Sequence, residues 1–371
     1  MLIGVIGRSN KISVVNLSDR TGSVVPAIGS DVTLPGTPTA VFIRESSKGT
    51  FTYAVTDNSF CAINLNLPTG PSGSLPAANI LTLGEGPTFA TIKSDGSLAY
   101  VLNNQRDLYL IDLSTPDKPK IISTKKTSAD YGYCALTKDE QSILLTRIEP
   151  PSTDPIHATV TQLQIAADGS VIMFGSVGSK VFEYYVDGEC ITSFVTGETN
   201  KVVYAAGGEC LAMFDRTNDF KTIPMPLITS PIVSLLPFEA DYYKAFVAYG
   251  NTLSYVSYNK IMSSLILRTS INALAIDNKS SYGFAAYTDA GNALAEINTK
   301  TLVVTEVQPP SQGPYTEVRL PWSGPYPCLA VKTTSMVGLP GSPPTGNPKP
   351  PKKPKPPKKK PRNCCKKRDC C

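Results

Sequence analysis

The feature that most constrains this chain is a repeat. An apolar residue followed by a small polar one ends a short alternating segment seven times, at Val15-Asn16, Ile63-Asn64, Ile111-Asp112, Leu163-Gln164, Phe214-Asp215, Val256-Ser257 and Ile297-Asn298, with spacings of 48, 48, 52, 51, 42 and 41 residues. Self-similarity at such a period marks an array of like units rather than one irregular core. Ahead of most of these pairs lies a segment rich in small, β-branched and aromatic residues, at 53–55, 99–101, 143–145, 203–205, 246–248 and 284–286. Another precedes each of those, at 40–43, 89–92, 134–137, 192–195, 233–236 and 273–276. A fourth closes most units, at 23–28, 80–83, 120–124, 171–174, 221–225, 261–267 and 302–307. Short β-favouring runs of this kind, separated by turn signals such as Ser94-Asp95-Gly96, Asp168-Gly169 and Asp187-Gly188, read as strands. No helical apolar period accompanies them.

Four strands per unit at a period near 45 is the arrangement of a β-propeller blade. Seven units predict an all-β, seven-bladed β-propeller with four-stranded antiparallel blades. The first unit begins at its second strand, residues 2–6, while residues 328–333 are left over after the seventh. Pairing these two segments closes the ring and removes an exposed sheet edge. A composition of 41% hydrophobic and 18% charged residues supplies a large core, and a closed all-β fold absorbs such a length in one unit. The propeller is expected over residues 1–337, with a disordered tail over 338–371.

The third unit, PTFATIKSDGSLAYVLNNQRDLYLIDLST over residues 87–115, resembles the repeat of the YVTN-type β-propellers, relatives of the WD-repeat and lactonase-like propellers. The other six units carry its hydrophobic skeleton. The resemblance implies a seven-bladed wheel with a central channel, in a fold whose members include enzymes, surface proteins and interaction scaffolds. Function does not follow from it.

Chemistry inside the wheel finds few candidates. The single histidine, His157, falls in RIEPPSTDPIHATV, read as an exposed loop, which excludes a His-rich metal centre. The chain has no phosphate-cradling glycine loop and no G-x-S-x-G elbow. The lactonase-like resemblance would allow a metal held in the channel by carboxylates, with Asp112 and Asp215 as candidates. Both stand at repeat-equivalent strand ends, where a carboxylate more simply satisfies a neighbouring backbone group. Cys61, Cys134, Cys190, Cys210 and Cys328 are scattered singly and are read as core-filling thiols. Long loops are expected at 147–158, 176–189 and 308–327; the last holds the only tryptophan. There Arg319, Trp322 and Tyr326 are candidate anchors for a protein partner, since these residue types dominate interface hot spots. The competing reading has Trp322 covering the closing blade.

The tail is the most distinctive segment. Residues 341–371 hold nine Lys and two Arg against one Asp, a charge of +10, so that the net +5 of the chain leaves −5 on residues 1–340. They also hold nine of the 32 prolines and no aromatic or aliphatic side chain, and so cannot build a core. Proline at that density gives an extended spacer of about 3.1 Å per residue. Lys352, Lys353, Lys355, Lys358, Lys359 and Lys360, with Arg362, Lys366, Lys367 and Arg368 beyond them, are expected to bind a polyanion: an anionic membrane, an acidic protein or, nonspecifically, nucleic acid. No aromatic is present to stack on bases.

The tip, CCKKRDCC, carries Cys364-Cys365 and Cys370-Cys371. Burial cannot explain cysteines in a segment without a core, and flanking cations favour the reactive thiolate. Three uses fit: lipidation, since the terminal Cys-Cys resembles the prenylated end of Rab-type GTPases and the basic flank resembles palmitoylated anchors; a four-thiolate zinc site, the one cofactor foreseen; and disulfide crosslinking. Lys/Pro-rich extensions of this sort resemble those on structural proteins of large DNA viruses, which makes a crosslinked virion or assembly component one alternative. No apolar run approaches the roughly 20 residues of a membrane-spanning helix, and the segment MLIGVIGRSNKISVVNL has no secretory pattern. The expected location is cytoplasmic, with the tail attaching the protein to a membrane or a large assembly. The expectation is a non-enzymatic protein-interaction scaffold, the alternatives being the assembly component and a lactonase-like hydrolase with a carboxylate-bound metal.

Overall fold

Each of the seven apolar-polar pairs ends a strand: Lys11–Asn16, Ser59–Asn64, Asp107–Asp112, His157–Gln164, Cys210–Asp215, Thr252–Ser257 and Ala293–Asn298. The structure, a computed structural model, describes residues 1–334 except 20–21, 67–73, 85, 128–130, 138, 149–156, 173–182, 188–192, 197–201, 208–209, 216–221, 225–229, 231, 238–243, 258–259, 278–281, 288–291, 303–314 and 325. The chain divides into two units, Met1–Pro340 and Gly341–Cys371. The second unit, with Lys352 to Arg368 and the four terminal cysteines, lies outside the described residues.

Among the described residues the strands form seven four-stranded sheets, and six of them are simple up-and-down meanders in chain order. The seventh is composite. Its inner strand is Cys328–Thr333, followed by Leu2–Arg8, Lys11–Asn16 and Val32–Thr33. The two ends of the domain pair antiparallel from Leu2↔Thr333 to Gly7↔Cys328, which is the closure the leftover segments predict. Each sheet's inner strand lies against the inner strand of the next sheet, and the succession returns to its start. The fold is an all-β propeller with four-stranded antiparallel blades.

Blade stacking explains the apolar runs. Both faces of a blade are covered by neighbours, so alternation along a strand directs side chains to two different cores instead of to core and solvent. On the closing strand, Cys328 and Ala330 join the cluster containing Val41 and Ile43, whereas Leu329 and Val331 join the one containing Ala273 and Phe284. Second strands are consequently buried almost throughout, as in Gly49–Thr56, where Tyr53, Ala54 and Val55 are at most 1% exposed.

The outer strands depart from the sequence reading. Residues 23–28 make only an isolated bridge, Val15↔Ala27, and the outer strand of the closing blade is Val32–Thr33. Pro26 lies in that stretch and has no N–H to donate to a ladder. Val171 likewise makes only a bridge to Ile165, and the outer strand there is Glu183–Asp187, within the expected loop 176–189. In the last blade, Thr299–Leu302 is a helical turn whose first N–H groups are met by the Asn298 side chain, with Lys300 N donating to Oδ1 at 3.0 Å. The outer strand follows at Thr316–Arg319, inside the expected loop 308–327. His157 also moves out of its loop: it opens the strand His157–Gln164 opposite Asp187.

An inner strand has one edge unpaired within its sheet, and near one end of the channel side chains of adjacent blades meet those backbone groups. Thr333 donates from N and Oγ1 to Asp277 at 3.1 and 2.5 Å. Thr334 Oγ1 donates to Glu45 at 2.7 Å, and its N–H donates to Met1 O at 2.8 Å while the Met1 amine donates back to Thr334 O at 3.0 Å. Arg44 grips the next blade by donating to Ile92 O and Lys93 O, both at 3.1 Å. Asp277 is 5% exposed, so Asp277→Ala strands the Thr333 N–H and hydroxyl. Thr333 is half-buried, and losing two hydrogen bonds to a carboxylate there costs about 1–3 kcal/mol; the denaturant midpoint should fall accordingly, with Asp277→Asn closer to the parent, and unchanged midpoints would show the latch to be idle.

Candidate functional site

The channel is the first place to look for chemistry. A cavity of about 460 Å³ lies along it, walled by parts of four inner strands, Ala40–Ser46, Ile232–Pro237, Ile271–Asp277 and Cys328–Thr333. Its walls are mainly aliphatic and aromatic, and the charged residues on it are Arg44, Asp277 and Lys332. Both Asp277 oxygens accept from Thr333. Arg44 donates from Nε to Lys93 O, from Nη1 to Ile43 O and from Nη2 to Ile92 O. Burial lowers its pKa from the ordinary value, against a smaller opposing pull from Glu140.

The proposed metal carboxylates are not gathered there. Asp112 ends the third strand of its blade counting from the channel, and its Oδ1 accepts from Ser114 N at 2.7 Å. Asp215 occupies the equivalent third strand, opposite Val202. Two strands separate each from the channel. Among the described residues no group of three or more His, Cys, Asp or Glu side chains stands close enough to hold a metal ion.

The three candidate anchors do not form one exposed patch. Arg319 is exposed at the end of the outer strand Thr316–Arg319, where its carbonyl accepts from Val25 N at 2.9 Å. Tyr326 is 1% exposed, and its hydroxyl donates to Trp322 O at 2.6 Å. Burial pushes the Tyr326 phenol up to about 12. Trp322 is half-buried against the core of the closing blade, with the Arg8 guanidinium 4.6 Å from its ring centre. Arg8 donates to Asp31 at 2.5 Å and to Ser13 at 2.8 Å, and Ser13 in turn donates to Asp31 at 2.8 Å. Trp322 thus lids a polar triad that sequence reasoning missed. The available signal was the single charge ending the otherwise apolar strand LIGVIGR.

Cys61, Cys134 and Cys328 are buried free thiols, each pushed up to about 12 by desolvation. Cys210 lies on the strand Cys210–Asp215, and Cys190 falls outside the described residues. A raised thiol pKa keeps the folded state protonated while the unfolded chain ionises from its ordinary value of 9.0. The unfolded state then binds fewer protons, so stability falls as pH rises between about 9 and 12. Melting temperatures measured across that window should decline, and these three thiols should resist alkylation at pH 8 until the protein unfolds; rapid labelling of the native state would contradict their burial.

No helix among the described residues is long and apolar enough to cross a membrane. No protein-family model matches the chain, and no curated protein does. Its shape, by contrast, is shared by 1334 solved chains, too many for shape to narrow function. One is hydrazine synthase of Kuenenia stuttgartiensis, with a TM-score of 0.60 at 12% identity, covering 78% of this chain and 90% of that one. A functionally unknown protein of Desulfotomaculum acetoxidans gives 0.59 at 14% identity, covering 86% and 99%. A putative 6-phosphogluconolactonase of Bacteroides uniformis gives 0.61 at 14% identity, covering 89% and 99%. At these identities the likeness is one of fold alone, and the fold it supports is the β-propeller.

Proposed function

We propose that this chain is a seven-bladed propeller of the YVTN type that serves as a non-enzymatic interaction scaffold in the cytoplasm. Its face loops bind a partner protein, and its basic, cysteine-tipped tail tethers it to an anionic surface or assembly. The seven successive four-stranded sheets support the blade number, and the third unit's sequence supports the type. One observation carries the tether: +10 of charge is concentrated in residues 341–371, which have no core-forming side chain, against −5 on the rest of the chain. A solubilising tail needs no cysteines, yet four of the nine are at its tip.

The test is the intact mass of protein purified from its natural source, together with binding to phosphatidylserine vesicles. Lipid adds a hydrocarbon increment at Cys364, Cys365, Cys370 or Cys371, zinc adds a metal mass removed by acid, and a disulfide removes two hydrogens. Any of these, with vesicle binding that needs the tail, supports the tether. Four unmodified thiols and equal binding with and without the tail would overturn it.

A further inference from the structure

Two outer strands among the described residues are the same element in different blades. Lys120–Lys126 reads KIISTKK and Lys260–Ile266 reads KIMSSLI. Each pairs with the third strand of its blade, and each slips register at the same place in the repeat, so that Ile122 in one and Met262 in the other is an extra residue with no opposite number. A bulge of this kind re-aims the side chain it carries. In the later blade that side chain is covered: Thr299–Leu302 lies against the strand, Met262 packs on the cluster that contains Leu302, and Ser263 Oγ donates to Leu302 O. In the earlier blade it is bare. Ile122 is 52% exposed, and Ser123 is half-buried where Ser263 is 3% exposed.

The bare strand also has an open edge. Thr127 N donates to Arg106 O at 2.8 Å, and the pairs from Lys126↔Asp107 to Ser123↔Leu110 continue from it, so the alternation of an antiparallel ladder turns the N–H groups of Thr124 and Lys126 outward. Proteins commonly keep such edges short, and the outer strands Val32–Thr33, Asn79–Thr82, Glu183–Asp187, Thr222–Pro224 and Thr316–Arg319 have two to five residues. Lys120–Lys126 has seven. Lysines on an edge discourage self-pairing, yet that purpose gives no reason to expose an isoleucine between them.

Charge selects the kind of chain that fits. Where the covered strand ends in Leu265-Ile266, the bare one has Lys125-Lys126. Lys118, Lys120 and Lys126 are exposed, whereas the carboxylates around them, Asp107, Asp112 and Asp117, are buried or half-buried. Lys126 pairs with Asp107 at 2.8 Å, and Lys125 Nζ donates to the neutral Val171 O at 2.6 Å. A second copy pairing here would set lysine against lysine, which is unfavourable, and the basic tail is repelled for the same reason.

We propose that the edge Lys120–Lys126 docks an extended acidic segment of a partner protein, which adds a strand to the blade and covers Ile122 with a large aliphatic side chain. Main-chain hydrogen bonds supply affinity in this mode, and side chains supply selection. The site involves neither the tail nor the face loops, so it stands or falls independently of them.

The test is hydrogen exchange on the full chain, read at residues 118–127. Three probes are compared: a short peptide of alternating Glu and Thr around one central Leu, the same peptide with a central Ser, and a single-stranded oligonucleotide. The leucine peptide should slow exchange there saturably, and the serine peptide should need about tenfold more, the worth of one buried aliphatic contact. The oligonucleotide should leave these amides unprotected. Ile122→Ser should cost the leucine peptide a similar factor. Thr124→Pro, a change that edge strands tolerate, should remove the protection by deleting an outward donor, and both variants should melt near the parent temperature. Peptide held by tail lysines protects nothing at 118–127, and the tail is intact in both variants. No protection at millimolar peptide would overturn the proposal. So would equal protection by the oligonucleotide, or protection indifferent to the central residue and to Ile122→Ser, which would be charge attraction alone. An Ile122→Ser protein that melted several degrees lower would overturn it too, because the chain's own residues would then already cover the bulge.

Discussion

A chain ending at Pro327 should fail to fold. It lacks Cys328–Thr333, the inner strand of the closing blade, and with it six cross-strand register pairs to Leu2–Arg8. Cys328 and Leu329 are buried, at 6% and 8% exposed, and Thr333 and Thr334 carry the contacts to Asp277 and Glu45. Burying an aliphatic side chain is worth about 1.5–3 kcal/mol, and each backbone hydrogen bond about 1 kcal/mol net. The loss is comparable with the roughly 5–15 kcal/mol that separates folded from unfolded domains. It also bares the edge of LIGVIG, an uncharged and wholly apolar run, for pairing between chains. Loss of the cooperative melting transition, with aggregation at micromolar concentration, is the expected outcome. A truncated protein that melted as the full chain does would show that the ring is not held at this seam.

Eleven residues further on, the same operation should leave stability alone and remove binding instead. A chain ending at Gly338 retains every strand described above and loses nine Lys and two Arg. Each basic residue near an anionic bilayer contributes about 1 kcal/mol, so engagement of even four corresponds to roughly a thousandfold in affinity. The full chain should therefore co-sediment with phosphatidylserine vesicles at low salt, and the shortened one should stay in the supernatant. Raising ionic strength should erode the difference as the Debye length shrinks from about 30 Å at 0.01 M to about 8 Å at 0.15 M. Equal sedimentation at low salt would make the tail a bystander.

What the sequence disclosed and what it withheld have one physical origin. Inner and second strands are covered on both faces, so Gly49–Thr56 and Tyr282–Tyr287 must be filled with small and aromatic residues, and their repeat is plain. Outer strands pair on one edge and meet solvent. Asn79–Thr82 and Thr316–Arg319 are largely exposed, and nothing forces a pattern on them. That is why three outer strands were misplaced, two of them into supposed loops. The anchor residues failed for a related reason: composition does not distinguish an aromatic that presents itself from one that covers. Tyr326 is core, and Trp322 shelters Arg8, because the neighbours that decide this, Ser13 and Asp31, are about 300 residues away in sequence. The charge at the channel end was equally hidden, since Arg44, Asp277 and Lys332 belong to three different blades.

The strand that completes the wheel is also the one from which the tail departs, since Thr334 follows Cys328–Thr333 directly. Were the tail held as proposed, a pull on it would reach the described residues at Thr334, beside the seam. A load directed along that strand is shared at once by its six partners in Leu2–Arg8, which resist in shear, whereas a load directed across it would peel them singly. The bonds from Thr334 to Glu45 and Met1 would then take that load first, as a cable is clamped where it enters its housing.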